Sequence, residues 1–403
     1  MAYRLEAKDM EALLLGGCFF GSGGGGTVIS ARHLAAAFVT GDYYPETAVN
    51  VVGVDEARDG DAVMVAYMGA PEAIDGATYP LGPVQAVQEV QQRLAAAGRK
   101  LAYIVPPESG ALGFVVACLV AARLGLAVID ADGAGRAVPS LPMLTFAAAG
   151  IDPRPAMLVS QGGLSVELDV KPAPGAANGA ARHQVDVSTI IERMLRPIVA
   201  DPEFAQFGGL AMWIMSPDKL GTALPIRGTL ARSLALGRAL LARDLPDTQA
   251  LLDYLRRDAG LDAVSLFGPG RITAVKLDTD GGFDTGSITL DDGRASCTVT
   301  FQNESLLARL AGQAQPLAMA PDSLCWFAGT RQAVYSNGDL VMPDGSLNPA
   351  LRDARISLVG IAAAAPLRVA DGLILESFMT LLDKLGYSGP YLPLQGERQG
   401  RVA

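Results

Sequence analysis

The chain has 403 residues, of which 50% are hydrophobic and 18% charged, with a formal net charge of −10 and a pI near 4.8. An acidic chain of this composition lacks the basic face that phosphate neutralisation needs, which excludes a general nucleic-acid binder, and its length leaves room for two or three domains with sizeable cores. Its longest apolar run, Ala111 to Ala122, falls short of the roughly 20 residues of a membrane span, and the opening MAYRLEAKDM has no signal-peptide core, so a cytoplasmic protein with no membrane partner is expected.

Cys18, Cys118, Cys297 and Cys325 are widely spaced and form no CxxC pair, so reduced thiols are expected. With only His33 and His183, neither singled out as a ligand, any divalent metal would lean on carboxylates, with Cys or one His as the further option. The mean hydropathy of +0.28 fits buried parallel strands and leaves room for a subunit interface, so a homo-oligomer is one expectation.

In chain order, a short amphipathic helix around Met10 to Leu15 leads into GGCFFGSGGGG, followed by a helix from about Thr27 to Val39. Strands are expected at Val51 to Val54 and Ala62 to Tyr67, a helix at Gly82 to Ala97, then a strand, helix and strand at Leu101 to Val105, Ala111 to Leu124 and Ala127 to Ile129. A strand at Met157 to Ser160, a helix at Val187 to Val199, a strand at Leu210 to Met215 and helices at Ile226 to Arg243 and Thr248 to Arg257 complete an α/β unit with a mixed or parallel sheet over residues 1–260. From 261 to 403 the runs VSLFGPGRITAVKLDT, GSITLDD, ASCTVTFQNE and RISLVGIA are short, β-rich and separated by turns, which predicts a β-rich sandwich- or barrel-like second domain. The tail GERQGRVA is expected to be disordered.

Two regions carry candidate chemistry. The glycines between Gly16 and Gly26, Gly23, Gly24 and Gly25 in particular, expose backbone N–H groups to an anion or serve a sharp helix connection. They form neither a P-loop nor a dinucleotide fingerprint, so no nucleotide cofactor is expected. Cys18 within them is either a thiolate nucleophile or a buried inert thiol. The crossover unit sends both its strands to one sheet edge, which brings Glu108 near Asp130 and Asp132, with Arg136 following. Against this stands ordinary turn chemistry, in which Asp hydrogen-bonds its own backbone. Further on, Arg227 sits at a helix start, where a cation is poorly placed for the dipole and is free to serve a ligand. Gln302, Asn303 and Glu304 close an apolar strand and offer donors and acceptors for a cyclic amide or for loop backbone, with Asp322 as a neighbouring candidate.

DADGAGRAVPSLPM at 130–143, preceded by VAARLGL, resembles the signature of the DUF917 family, described as the N- and C-terminal domains of S-methyl thiohydantoin desulfurase. GGCFFGSGGGG, IRGTLARSLALGRALLAR, GGFDTGSITL, FQNESLLA and PDSLC follow in the family's order. One departure is present: where members often read Glu, any residue, Gly, Gly, any residue, Asn, this chain reads Glu108-Ser109-Gly110-Ala111-Leu112-Gly113.

The resemblance implies a hydrolase of a small cyclic amide or thioamide, in which water replaces a methylthio group and leaves a hydantoin. The alternative is a non-catalytic accessory or ligand-sensing protein of hydantoin or oxoproline metabolism. For the hydrolase, Asp130 or Asp132 is expected to hold water or a metal, Glu108 to be the partner acid, and Arg136 or Arg227 to meet an anion on the substrate.

Overall fold

A computed structural model describes residues 2–36, 48–69, 81–171, 180–280 and 283–394. The end of the helix expected to reach Val39, and the tail GERQGRVA, lie outside the described residues.

The first sheet has eight strands in the order Tyr3–Glu6, Ala48–Val52, Ala127–Ile129, Leu101–Val105, Asp61–Gly69, Phe207–Met215, Ala156–Ser160 and Ser165–Leu168. Its centre is parallel, with Ala48–Val52, Ala127–Ile129, Leu101–Val105 and Asp61–Gly69 running together, and both flanks are antiparallel. The sheet is therefore mixed, as the alternation of strands and helices suggests. Its central strands read as continuous apolar runs because both faces are covered. Val63, Val65, Ile104 and Val128 join one core with the helices Met10–Phe20, Leu81–Ala96 and Ala111–Leu124. Ala62, Met64, Val105 and Ile129 point the other way into a second core with Ala180–Val199 and Leu373–Lys384.

The helix Met10–Phe20 is not amphipathic; all of its residues except Glu11 are buried. It absorbs Gly16, Gly17 and Cys18, which sequence reasoning placed in the loop. Glycine is needed there for packing: a Cβ on Gly16 would run into the Ser233 carbonyl, and one on Gly237 into that of Ala12. The helix Thr229–Ala242 starts three residues later than expected. Ile226–Arg227 is instead a short strand paired with Ala131–Asp132, and Gly228, at φ 71°, turns the chain into the helix.

The second sheet begins at Ala263 and is antiparallel, in the order Ala318–Met319, Glu304–Leu310, Ser296–Gln302, Phe283–Asp291, Ala263–Asp280, Ile356–Ile361, Ser323–Ala328 and Ala333–Tyr335. The long strand Ala263–Asp280 pairs first with Ile356–Ile361 and then with Phe283–Asp291, with irregularities between Ser265 and Gly270. The sheet bends there, so that Ile288, Val299 and Phe301 of one half share a core with Leu324, Trp326 and Leu358 of the other. After this sheet the chain returns, and Leu373–Lys384 buries Ile374, Phe378 and Leu382 on the first unit. Among the described residues no helix is long and apolar enough to cross a membrane.

Candidate functional site

A cavity of about 200 Å³ opens where the two units meet. Its walls come from the glycine loop at Gly23–Gly26, from the strand ends and following loops at Met64–Gly69 and Pro107–Glu108, from Val138–Leu141, from Glu192 and Arg196, and from the second sheet's Asn303, Glu304 and Asn337.

The glycine loop has this shape because a side chain would not fit. Gly23, Gly25 and Gly26 have φ of 86°, 72° and 86°, and a Cβ on Gly24 would overlap the Glu304 carboxyl. The loop thus lies directly on Glu304 and carries the second unit with it: Ser305 N donates to Ser22 O at 2.8 Å and Asn337 N to Gly23 O at 2.7 Å.

Glu108 and Glu304 approach the cavity from different units. Glu108 follows the strand Leu101–Val105 and accepts the Val138 N–H at 2.7 Å. Burial raises its pKa well above the usual carboxyl range, and repulsion from Glu304 adds to the rise. Glu304 follows Asn303, which at φ 56° alone links two antiparallel strands. Asn303 suits that position because its short polar side chain tolerates left-handed backbone and here accepts the Asp284 N–H at 2.9 Å. Glu304 is 3% exposed, its Oε2 has no hydrogen-bond partner, and burial pushes its pKa up to about 8 although the Arg136 guanidinium pulls it down.

The far wall carries a third carboxylate. Glu192 accepts from the Ser140 hydroxyl and from Leu141 N at 3.1 Å, and it pairs with Arg196 at 2.5 Å. The Arg196 guanidinium lies 3.5 Å from the centre of the Phe283 ring. Among the described lining residues, Glu108, Glu192, Asp284 and Glu304 thus face a single cation, Arg196. That balance favours a neutral ligand over an anion.

Of the residues singled out from sequence, Gly23, Gly24, Gly25, Glu108, Asn303 and Glu304 line the cavity, whereas the others do not. Asp132 is fully buried and serves its own turn, accepting from Ala134 N and Gly135 N at 2.9 and 2.5 Å and from the Ser109 hydroxyl at 2.7 Å. Asp130 turns to the start of Thr229–Ala242, accepting from Leu230 N and Ala231 N at 2.9 and 3.2 Å. Turn and cap chemistry therefore claims both aspartates, and the expected three-carboxylate crevice does not form.

Arg136 is 1% exposed, and its guanidinium donates to the carbonyls of Ala137, Ser305, Pro321 and Asp322 at 2.7–3.2 Å. Those bonds hold the two units together and leave it no place beside a ligand anion. Arg227 pairs on the surface with Asp55 at 2.6 Å. Cys18 is buried in its helix 3.9 Å from Asp339, where burial and then that carboxylate raise the thiol pKa, the opposite of what a thiolate nucleophile needs. Gln302 stays in its strand opposite Thr285. Asp322 accepts from Ala363 N, Leu394 N and the Tyr391 hydroxyl. His33, exposed on its helix, and His183 stay out of the cavity wall. Among the described residues no group of three or more His, Cys, Asp or Glu is arranged to hold a metal ion.

Sequence reasoning missed Glu192, Arg196 and Asn337. The first two carry a faint signal, a glutamate four residues before an arginine on one helix face. Asn337 carries none: its role as a node, accepting from Trp326 Nε1 at 2.8 Å and Ser305 Oγ at 3.1 Å while donating to Asn303 O at 2.8 Å, exists only in the fold.

The fold and site define a two-unit α/β protein with a small, acid-lined cavity between a mixed and an antiparallel sheet. The chain belongs to the S-Me-THD-like family: that family's N-terminal domain matches residues 8–170 and its C-terminal domain residues 186–379. The family boundary and the sheet boundary differ, since Phe207–Met215 lies within the first sheet. A crystal structure of a protein from Chromobacterium violaceum is 55% identical over 98% of this chain and all of that one, with a TM-score of 0.89. A comparison with curated proteins gave no match.

Proposed function

We propose that this protein hydrolyses a small neutral cyclic amide or thioamide, of the S-methyl thiohydantoin class, at the cavity between its two units. The observation that carries the reading is a pair of carboxyls, half-buried Glu108 and buried Glu304, facing one cavity from different units, with Glu304 Oε2 unpartnered. The volume of about 200 Å³ lies below the roughly 300–1,000 Å³ of pockets that take drug-sized ligands, which suits a five-membered ring, and the excess of carboxyls suits a ring without charge. Family membership supports the choice of ring.

In the reaction, water adds to the ring carbon that bears sulfur, the carbon–sulfur bond breaks, and methanethiol leaves a hydantoin. Repulsion between the two carboxyls keeps them from ionising together, and the reaction runs in the state in which one of them has given up its proton. The ionised member takes a proton from the attacking water, and the protonated member delivers one to the departing sulfur. Substrate N–H and C=O groups meet the Glu304 carboxyl, the Asn337 side chain and the backbone of Gly23–Gly26. Incubation with an S-methyl thiohydantoin in ¹⁸O-labelled water tests this: release of thiol with one labelled oxygen in the hydantoin supports the reading. Saturable binding without thiol release would instead assign the chain to the sensing class.

A further inference from the structure

Seven glycines line the cavity: Gly23, Gly24, Gly25, Gly26, Gly69, Gly113 and Gly338. For six of them the reason is steric or conformational. Gly23, Gly25, Gly26 and Gly69 have positive φ, and a Cβ on any of the six would approach a neighbouring atom to less than 3.0 Å. Gly113 differs. It lies in the first turn of the helix Ala111–Leu124 with no left-handed backbone, and its Cβ would stand 3.7 Å from the Glu108 carbonyl oxygen and 4.0 Å from Pro107 Cδ, ordinary contact distances. Packing and backbone would both accept alanine, which also favours the helix by reducing the freedom lost on folding. Its neighbours in the sequence, Leu112 and Phe114, are buried, whereas Gly113 faces open space beside Glu108.

We propose that Gly113 is a specificity-determining residue, whose missing side chain leaves room in the cavity wall for a substituent on the ligand's ring. The identity of the ring rests on the function proposed above, whereas the open space beside Glu108 rests on the fold alone. The space therefore admits a ring carrying an aliphatic side chain, and even a methyl group at position 113 would compete with it.

Two measurements separate these parts. In Gly113→Cys the introduced thiol should react with methyl methanethiosulfonate much faster than the four native cysteines, all of which are buried, and more slowly as the reagent's alkyl group is enlarged. An introduced thiol as inert as the native ones, in a folded protein, would overturn the open wall. Gly113→Ala should melt at or above the wild-type temperature. It should also lower kcat/KM for an isobutyl-substituted S-methyl thiohydantoin at least tenfold more than for the unsubstituted ring, whereas equal loss on both rings would overturn the specificity role. If the wild type releases thiol from neither ring, the choice of substrate falls, and the thiol-accessibility result still decides whether the wall is open.

Discussion

Burial holds the Glu304 carboxyl protonated to about pH 8, and this links the site to folding. Between the ordinary value of 4.5 and about 8 the folded chain keeps a proton that the unfolded chain has released, so stability should fall as pH rises through that window. A single such group contributes a slope of at most about 1.4 kcal/mol per pH unit. Glu304→Gln should flatten the pH dependence of denaturant unfolding between pH 5 and 8 by up to that amount, and an unchanged slope would show that Glu304 ionises freely in the fold. Asp132 behaves differently because its two oxygens are already committed to two backbone amides and a hydroxyl. Asp132→Ala leaves those buried donors unpaired, so a loss of roughly 3 kcal/mol in denaturant unfolding is expected; a loss under about 0.5 kcal/mol, the range of ordinary surface substitutions, would argue that the turn does not need it.

At the level of elements, the crossover unit was legible because its cues are local. Apolar runs of strand length flank an apolar helix, and the structure pairs Leu101–Val105 with Ala127–Ile129 in parallel; the helix Thr248–Arg257 likewise has the bounds expected from the sequence. The start of Thr229–Ala242 was misread because the pairing of Ile226–Arg227 with Ala131–Asp132 spans some ninety residues and leaves no periodic trace. The glycines of Met10–Phe20 were misread for a related reason. Gly16 looks like a loop residue until the Ser233 backbone is laid against it. Because the same close approach recurs at Gly237 against Ala12, Gly237→Ala should destabilise the protein by about 3 kcal/mol of overpacking despite the better helix propensity of alanine. Thermal unfolding of that variant at or above the wild-type temperature would contradict the contact.

Across the whole molecule, the site exists because two units meet. Glu108 and Glu304 were both visible as candidates, one after a strand and one closing another, but nothing in the sequence says that they face each other, since the glycine loop and the Arg136 clamp that set their approach are tertiary features. Contacts within the first unit make Asp130 and Asp132 structural groups, and the helix Ala180–Val199 brings Glu192 and Arg196 to the cavity wall. The proposed reaction turns on proton exchange of Glu108 and Glu304 with substrate and water. It is tested most directly by thiol release from an S-methyl thiohydantoin by the wild type, Glu108→Gln and Glu304→Gln under identical conditions. Turnover by the wild type and a loss in kcat of about 100-fold or more in each variant are expected, with both variants still folded; turnover within a few-fold of wild type in both would rule out proton transfer by the pair.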